Sequence, residues 1–239
     1  MARPYIVING KPSTKIEGLL ICSTPSIRKP LKRSNKEEID GVDGDIITVL
    51  GYSAYDKSFE IGLTKDYDID EVIEYFNTSG TVIFSNEPDK YYNFNLLEAI
   101  DFEKLIRFKT ATVTMHVQPF KYSAIESERN FTFNDTEGSF KIKNAGNIKS
   151  KPLITLEGSG AINLYLNGVE VLALQLDTSP SSIAIDVNSM NAYNPTSGAF
   201  LNRYVIGDYN DLMLKVGQNT IAFTGNVTNI SIKHYSRWI

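Results

Sequence analysis

The chain has 239 residues, 42% hydrophobic and 22% charged, the balance of a soluble globular protein with room for one large β domain or two ordinary ones. A net charge of −4 argues against general nucleic-acid binding, which draws its affinity from basic surface, and a single cysteine, Cys22, excludes a disulfide within the chain. No run approaches the ~18 apolar residues of a membrane span, and Met1-Ala2-Arg3-Pro4-Tyr5 opens without a signal-peptide core, so the sequence predicts a protein made and kept in a cytoplasm.

Taken in chain order, the first landmark is Cys22, which follows Leu19-Leu20-Ile21 and reads as a small buried hydrophobe rather than a nucleophile. Arg28-Lys29-Pro30-Leu31-Lys32-Arg33 is a basic run in an otherwise acidic front half, which holds 15 basic against 20 acidic residues up to Glu128; beyond it the counts are 9 and 8. A short basic run interrupted by proline reads as a solvated loop. In Asp68-Ile69-Asp70-Glu71 the aspartate caps a helix and Glu71, three residues on, returns the bond, while Ile69, Val72, Ile73 and Phe76 recur on one face. Asn77-Thr78-Ser79-Gly80 ends that helix. Thr81-Val82-Ile83-Phe84 then reads as a strand, Ser85-Asn86-Glu87-Pro88-Asp89-Lys90 as a turn, and Tyr91-Tyr92-Asn93-Phe94 as the returning strand.

From 110 to 118 the alternation is complete, with Ala111, Val113, Met115 and Val117 on one face and Thr112, Thr114, His116 and Gln118 on the other, the pattern of a half-buried strand. Residues 122–130 turn polar and make the best linker. Beyond it only strand and turn signals occur. Ile162, Leu164 and Leu166 alternate with polar neighbours, Asn167-Gly168 turns the chain into Val169-Glu170-Val171, and further strands are predicted at 183–187, 212–216, 220–223 and 230–233. Even spacing of short strands indicates an antiparallel sandwich. The expected fold is therefore mainly β with one α-helix, in two domains, 1–128 and 129–239.

Chemistry-bearing constellations are sparse. Asp40, Asp43 and Asp45, and separately Asp66, Asp68 and Asp70, lack the spacing of a calcium loop and read as a hairpin turn and a helix N-terminus. His116, His234 and Cys22 are too few soft ligands for zinc. There is no Gly-x-Ser-x-Gly elbow, phosphate loop or dinucleotide fingerprint, and Gly158-Ser159-Gly160 lacks a following helix. His116 reads as exposed or interfacial. Tyr91, Tyr92, Phe94, Phe120 and Tyr122 read as core and subunit-interface residues before they read as a stacking platform. The sequons at Asn77, Asn130, Asn134, Asn226 and Asn229 are turn chemistry. No catalytic, cofactor-binding or metal-binding residue is predicted.

The order of pieces in 68–122, helix, Gly-Thr-Val-Ile-Phe-Ser-Asn-Glu-Pro-Asp-Lys-Tyr-Tyr, strand and Gln-Pro-Phe-Lys-Tyr, resembles the amino-terminal domain of the distal tail proteins (Dit) of siphovirus-type bacteriophages. Ile8-Asn9-Gly10-Lys11 with Ile16-Glu17-Gly18-Leu19 is similar to the family's opening strand, and Ile39-Asp40-Gly41-Val42-Asp43-Gly44-Asp45 to its glycine-rich hairpin. Asn144-Ala145-Gly146-Asn147, Lys151-Pro152-Leu153-Ile154, Leu166-Asn167-Gly168 and Val216-Gly217-Gln218-Asn219 resemble its carboxy-terminal sandwich. The resemblance implies a structural, non-enzymatic virion component at the tail tip, assembled in the host cytoplasm. Its first domain would form a hexameric ring that joins the tail tube to the tip or baseplate. Its second would be galectin-like, with the last strand returning to the first domain and Trp238 locking the two. Implied partners are further copies of itself, the tube protein and the tail-associated lysin, with tape measure and receptor-binding proteins beyond; DNA would pass through the channel without specific binding. The alternative is a carbohydrate-binding module for host-wall polysaccharide, weakened because 130–233 has no Trp and few Arg.

Overall fold

The computed structural model describes residues 3–41, 43–177 and 181–239, so Met1 and Ala2 of the opening and Val42 of the glycine-rich turn lie outside the described residues. The fold is mainly β, as the sequence predicts, and the chain divides into two compact units, Met1–Ile125 with Ile239 and Glu126–Trp238.

The first unit contains β1 (Ile6–Ile8), β2 (Lys11–Pro12), β3 (Leu19–Ile21), β4 (Lys32–Glu38), β5 (Asp45–Tyr52), β6 (Tyr55–Leu63), α1 (Ile69–Phe76), β7 (Gly80–Phe84), β8 (Lys90–Asn95), α2 (Phe102–Phe108) and β9 (Thr110–Ser123). Seven of the strands form one antiparallel sheet in the order β2-β1-β7-β8-β9-β6-β3, while β4 and β5 pair only with each other. β9 pairs with β6 along its first half and with β8 along its second. Pro119, which has no amide hydrogen to donate, falls past the end of the β6 ladder and beside the register shift between Tyr92 and Phe94. The predicted inward face, Ala111, Val113, Met115 and Val117, is buried in full.

α1 forms for the reason the sequence gives, with one correction. Asp68 Oδ1 accepts the amides of Asp70 and Glu71. The Glu71 carboxylate does not return to Asp68; it accepts from the Glu17 amide and from Lys11 Nζ, each at 3.2 Å, and so ties the helix to the chain's start. The buried stripe is Val72, Tyr75 and Phe76, and Ile73 is exposed. The helix thus sits rotated from the predicted face, because the Tyr75 hydroxyl reaches back to the carbonyls of Ile6 and Lys11.

A second helix joins the one predicted. Asp101 caps α2 by accepting the Lys104 amide, and Lys109 ends it with a left-handed φ of 60°. Only Leu105 of its seven residues is buried, too little for a helical period to show. Cys22 is a further correction. Leu19 and Ile21 point inward, so Leu20 and then Cys22, just past the strand's end, take the outward phase, and Cys22 is exposed.

The second unit contains β10 (Arg129–Thr132), β11 (Glu137–Asn144), β12 (Leu153–Leu166), β13 (Val169–Gln175), β14 (Ser181–Asp186), β15 (Asn191–Tyr193), β16 (Val205–Gly207) and β17 (Gly217–Lys233). β17 and β12 are long enough to belong to two regions of one curled antiparallel sheet. β17 pairs with β11, β10 and β12, while β12 pairs with β17 and successively with β14 and β13. The predicted strands at 220–223 and 230–233 are therefore two ends of a single strand. The curl is set where β12 breaks register with β17 between Ser159 and Asn163. At Gly225, with φ +110°, an added Cβ would stand 2.3 Å from the Ala161 carbonyl, so the bend admits only glycine.

The predicted strand at 212–216 does not form. Leu212 closes a 3-10 turn and Leu214 makes only an isolated bridge to Ser150. The buried Asn219 side chain takes both the amide and the carbonyl of Lys215, which removes them from any ladder. The unit begins at Glu126, which is bonded inside it: Nε2 of His234 lies 3.2 Å from its Oε1 and the Ser236 amide donates to its Oε2 at 2.8 Å. Burial opposes ionisation of Glu126, but these two donors outweigh it and hold the carboxyl below its usual range.

Candidate assembly surfaces

The β4–β5 hairpin is the first surface. Its turn residues Gly41 and Gly44 have φ of 83° and 93°, so the glycine-rich sequence sets the reversal. Every β4 residue is exposed, and on β5 the side chains of Ile46, Ile47, Val49 and Leu50 are each more than half exposed. Ser34 faces Val49 and Arg33 faces Gly51, which leaves Leu50 as the extra residue of a bulge. Ile47 and Val49 therefore share one face with Ser34 and Lys36, and Ile46 lies on the other beside Glu37. Lys36 pairs with Asp45 across the strands. The basic run enters here: Arg28 and Lys29 are exposed in the irregular lead, and Lys32 and Arg33 open β4 rather than lying in a loop.

That lead is pinned to the sheet by a buried ionic group. Glu87, in the segment the sequence reads as a plain turn, accepts Lys121 Nζ and the Tyr92 hydroxyl, each at 2.5 Å, and all three side chains are buried. Beside them Lys57 donates to the Ser26 carbonyl at 2.9 Å and lies over the Tyr92 ring at 4.8 Å. Asn86 holds the Pro25 carbonyl at 3.0 Å. Burial lowers the Lys57 pKa to about 8; Glu87 works against this, and Lys121 and Arg28 add to it.

The sign of the linkage is fixed. Above about pH 8 the folded chain has released a proton that the unfolded chain still holds, so stability rises with pH up to the ordinary lysine range. Burial raises the phenol pKa values of Tyr92 and Tyr75, which reverses the trend once unfolded tyrosines ionise near pH 10. In a Cys22→Ser background, which removes the opposing effect of the raised thiol pKa, denaturant midpoints of the first unit should therefore climb between about pH 8 and pH 9.5. In Lys57→Met that climb should vanish, with stability at neutral pH equal to or above the native chain's. A flat native profile would show that the ammonium is hydrated in solution.

The second surface is a cleft of about 370 Å3 between the C-terminal end of α1 and residues 96–102, the irregular lead into α2 with its first residue. Ile73, Phe76, Leu96, Leu97, Ile100 and Phe102 line it, together with Glu98. Ile73, which α1 turns outward, and Leu97, 72% exposed, give it an apolar mouth.

The remaining predicted residues separate. Tyr92 and Phe94 are core; Tyr91 and Tyr122, directly paired in register, stack at 5.5 Å; Phe120 meets Tyr52 edge-on. They do not converge on a ligand platform. His116 Nδ1 lies 2.7 Å from Asp56, both partly open to solvent. Although Cys22 is exposed, partial desolvation of its thiol, and then the Glu60 charge, push its pKa up, which makes it a poor nucleophile. Among the described residues no three His, Cys, Asp or Glu side chains gather as metal ligands. Among the described residues no helix is long and apolar enough to cross a membrane.

Comparison with solved structures gives matches over the whole chain. The SPP1 Dit (gp 19.1) protein, described as a paradigm of the hub adsorption apparatus in phages infecting Gram-positive hosts, aligns at a TM-score of 0.61 and 15% identity, covering 100% of both chains. A chain of the phage P2 baseplate in its activated conformation with Ca aligns at 0.52 and 12%, covering 100% of this chain and 99% of that one. Its counterpart with Sr aligns at 0.53 and 12%, over 98% and 97%. No family model and no curated protein matches the sequence. The chain thus has the fold of the distal tail hub protein, reached through sequence identity too low to show more than the fold.

Proposed function

We propose that this chain is a structural component of a bacteriophage tail, the hub that joins the distal end of the tail tube to the tip or baseplate. The observation that carries the reading is the end-to-end likeness, in full coverage of both chains, to a phage hub protein. One further feature supports it: an exposed apolar hairpin whose two strands pair only with each other. In this reading six copies close a ring through residues 1–128, and residues 129–239 form a galectin-like sandwich. The partners are the tube protein and the tail-associated lysin, then the tape measure and receptor-binding proteins. The protein resides in the virion tail tip after assembly in the host cytoplasm, and DNA passes the ring without specific binding.

Electron microscopy of the full chain mixed with its tube and tip partners tests this. Rings, or added density at tube ends, are the expected result. If neither is seen, the hub reading fails, and glycan arrays on the same protein then decide whether a cell-wall-binding module should replace it.

A further inference from the structure

We infer that Asn9 and Asn167 are matched clamp residues, one in each unit, and that each is a deamidation site which the native fold holds shut and any opening of the clamp exposes. The inference goes beyond the hub reading and does not depend on it. These residues begin the chain's only two Asn-Gly pairs, the dipeptide in which a side-chain amide is most easily lost, because glycine has no Cβ to shield its nitrogen. Each pair forms the two-residue loop of a hairpin, Asn9-Gly10 between β1 and β2 and Asn167-Gly168 between β12 and β13. All four residues have the positive φ that such a loop requires, 48° and 83° in the first, 53° and 85° in the second.

Each asparagine also grips a strand outside its own hairpin, and does so in the same way. The Asn9 amide donates to the Thr81 carbonyl at 2.9 Å, and Asn9 Oδ1 accepts the Thr81 amide at 2.8 Å. The Asn167 amide donates to the Thr220 carbonyl at 2.8 Å, and Asn167 Oδ1 accepts the Thr220 amide at 2.9 Å. Nδ2 is engaged as well. That of Asn9 donates to the Ser79 carbonyl at 3.1 Å and the Thr78 hydroxyl at 3.2 Å; that of Asn167 donates to Asn219 Oδ1 at 3.2 Å. Deamidation needs another geometry. The nitrogen of the following glycine must attack Cγ, its proton leaving with Nδ2 as ammonia to give a cyclic imide, which water then opens to aspartate or isoaspartate. Cγ cannot swing back onto that nitrogen while Oδ1 and Nδ2 are held on the neighbouring strand. Once formed, the carboxylate presents an acceptor to the Ser79 carbonyl or to Asn219 Oδ1, and isoaspartate adds a methylene to the main chain, so the clamp does not reclose. The first clamp is the weaker, since β2 has two residues against seven in β13 and lies at the edge of its sheet.

The test follows the reaction in the full chain, native and in denaturant, at mildly alkaline pH, by peptide mass spectrometry that separates aspartate from isoaspartate. Native Asn167 should react at least about a hundredfold more slowly than in the unfolded chain, and native Asn9 at a rate between the two. Gly80→Ala opens the first clamp alone, since a Cβ there would stand 2.2 Å from Asn9 Oδ1; Asn9 should then approach its unfolded rate while Asn167 keeps its native one. Gly80 has φ +140°, where alanine is strained, so Thr78→Val, which deletes only one acceptor of Asn9 Nδ2, is measured beside it and should accelerate Asn9 by about threefold. Hydrogen exchange across β9, unchanged from the native chain, shows that the first sheet is intact in a variant. Equal native and unfolded rates at both sites overturn the inference. So does an intact Gly80→Ala chain whose Asn9 is no faster, and, where Gly80→Ala loses its β9 protection, a Thr78→Val chain whose Asn9 keeps the native rate.

Discussion

Phe76→Ala should destabilise the first unit by about 3–5 kcal/mol, the range for emptying a large aromatic from a packed core. Phe76 is 1% exposed and meets Tyr75 edge-on at 5.2 Å, so its loss removes dispersion contacts on both sides and leaves a cavity that α1, fixed by its Asp68 cap and by Glu71, cannot collapse to fill. Glu74, two residues earlier on the exposed face, is the control; Glu74→Ala should change stability by no more than about 0.5 kcal/mol. Denaturant titration followed by a probe of the first unit makes the comparison. Equal midpoints for the two variants would mean that α1 presents a different face in solution.

Glu87→Ala should have an effect of similar size by a different mechanism. Removal of the carboxylate strands the Lys121 ammonium and the Tyr92 hydroxyl without their shared acceptor, and breaking one side of a buried ion pair costs about 3–5 kcal/mol. The pair need not itself be a source of net stability. Replacing both charges by apolar residues, as Glu87→Leu with Lys121→Met, should recover much of the loss, since desolvation is then no longer incurred. A double replacement that is as unstable as the sum of its parts would show that the two side chains are not coupled, and that Glu87 acts only through the turn it occupies.

Local chemistry made much of this fold legible. Asp68 and the apolar repeat announced α1, and the alternation from Ala111 to Val117 announced the centre of the first sheet, because capping and the two-residue period of a strand act over a few neighbours. What was misread depends on distant partners. Ile73 and Tyr75 exchange roles because the Tyr75 hydroxyl bonds to the carbonyls of Ile6 and Lys11. Residues 212–216 alternate like a strand, yet Asn219 occupies the backbone groups a strand would need. The surfaces proposed for assembly were half visible. Gly41 and Gly44 marked a reversal, but nothing nearby shows that the strands on either side lie free of the sheet, since that is a statement about missing long-range partners. Likewise Glu87, read among turn residues, is buried only because Lys121 arrives from 34 positions later.

The strand order also governs when the chain can fold. β1 precedes the other strands and finds the two-residue β2 close by, but its other sheet partner is β7, with Ile6 opposite Phe84, and the strand that bridges the two halves of the sheet, β9, ends only at Ser123. In the second unit β10 waits still longer, since Phe131 pairs with Ile230. Each sheet must therefore close loops of many tens of residues before its contacts repay the lost chain entropy, the circumstance that slows folding most. Synthesis has to deliver nearly the whole of a unit before that unit can hold together. A chain that terminates before β17 lacks the common neighbour of β10, β11 and β12 and cannot complete the second unit at all. Prematurely ended translation products are thus left open to degradation as unfolded polypeptide rather than surviving as intact but defective subunits.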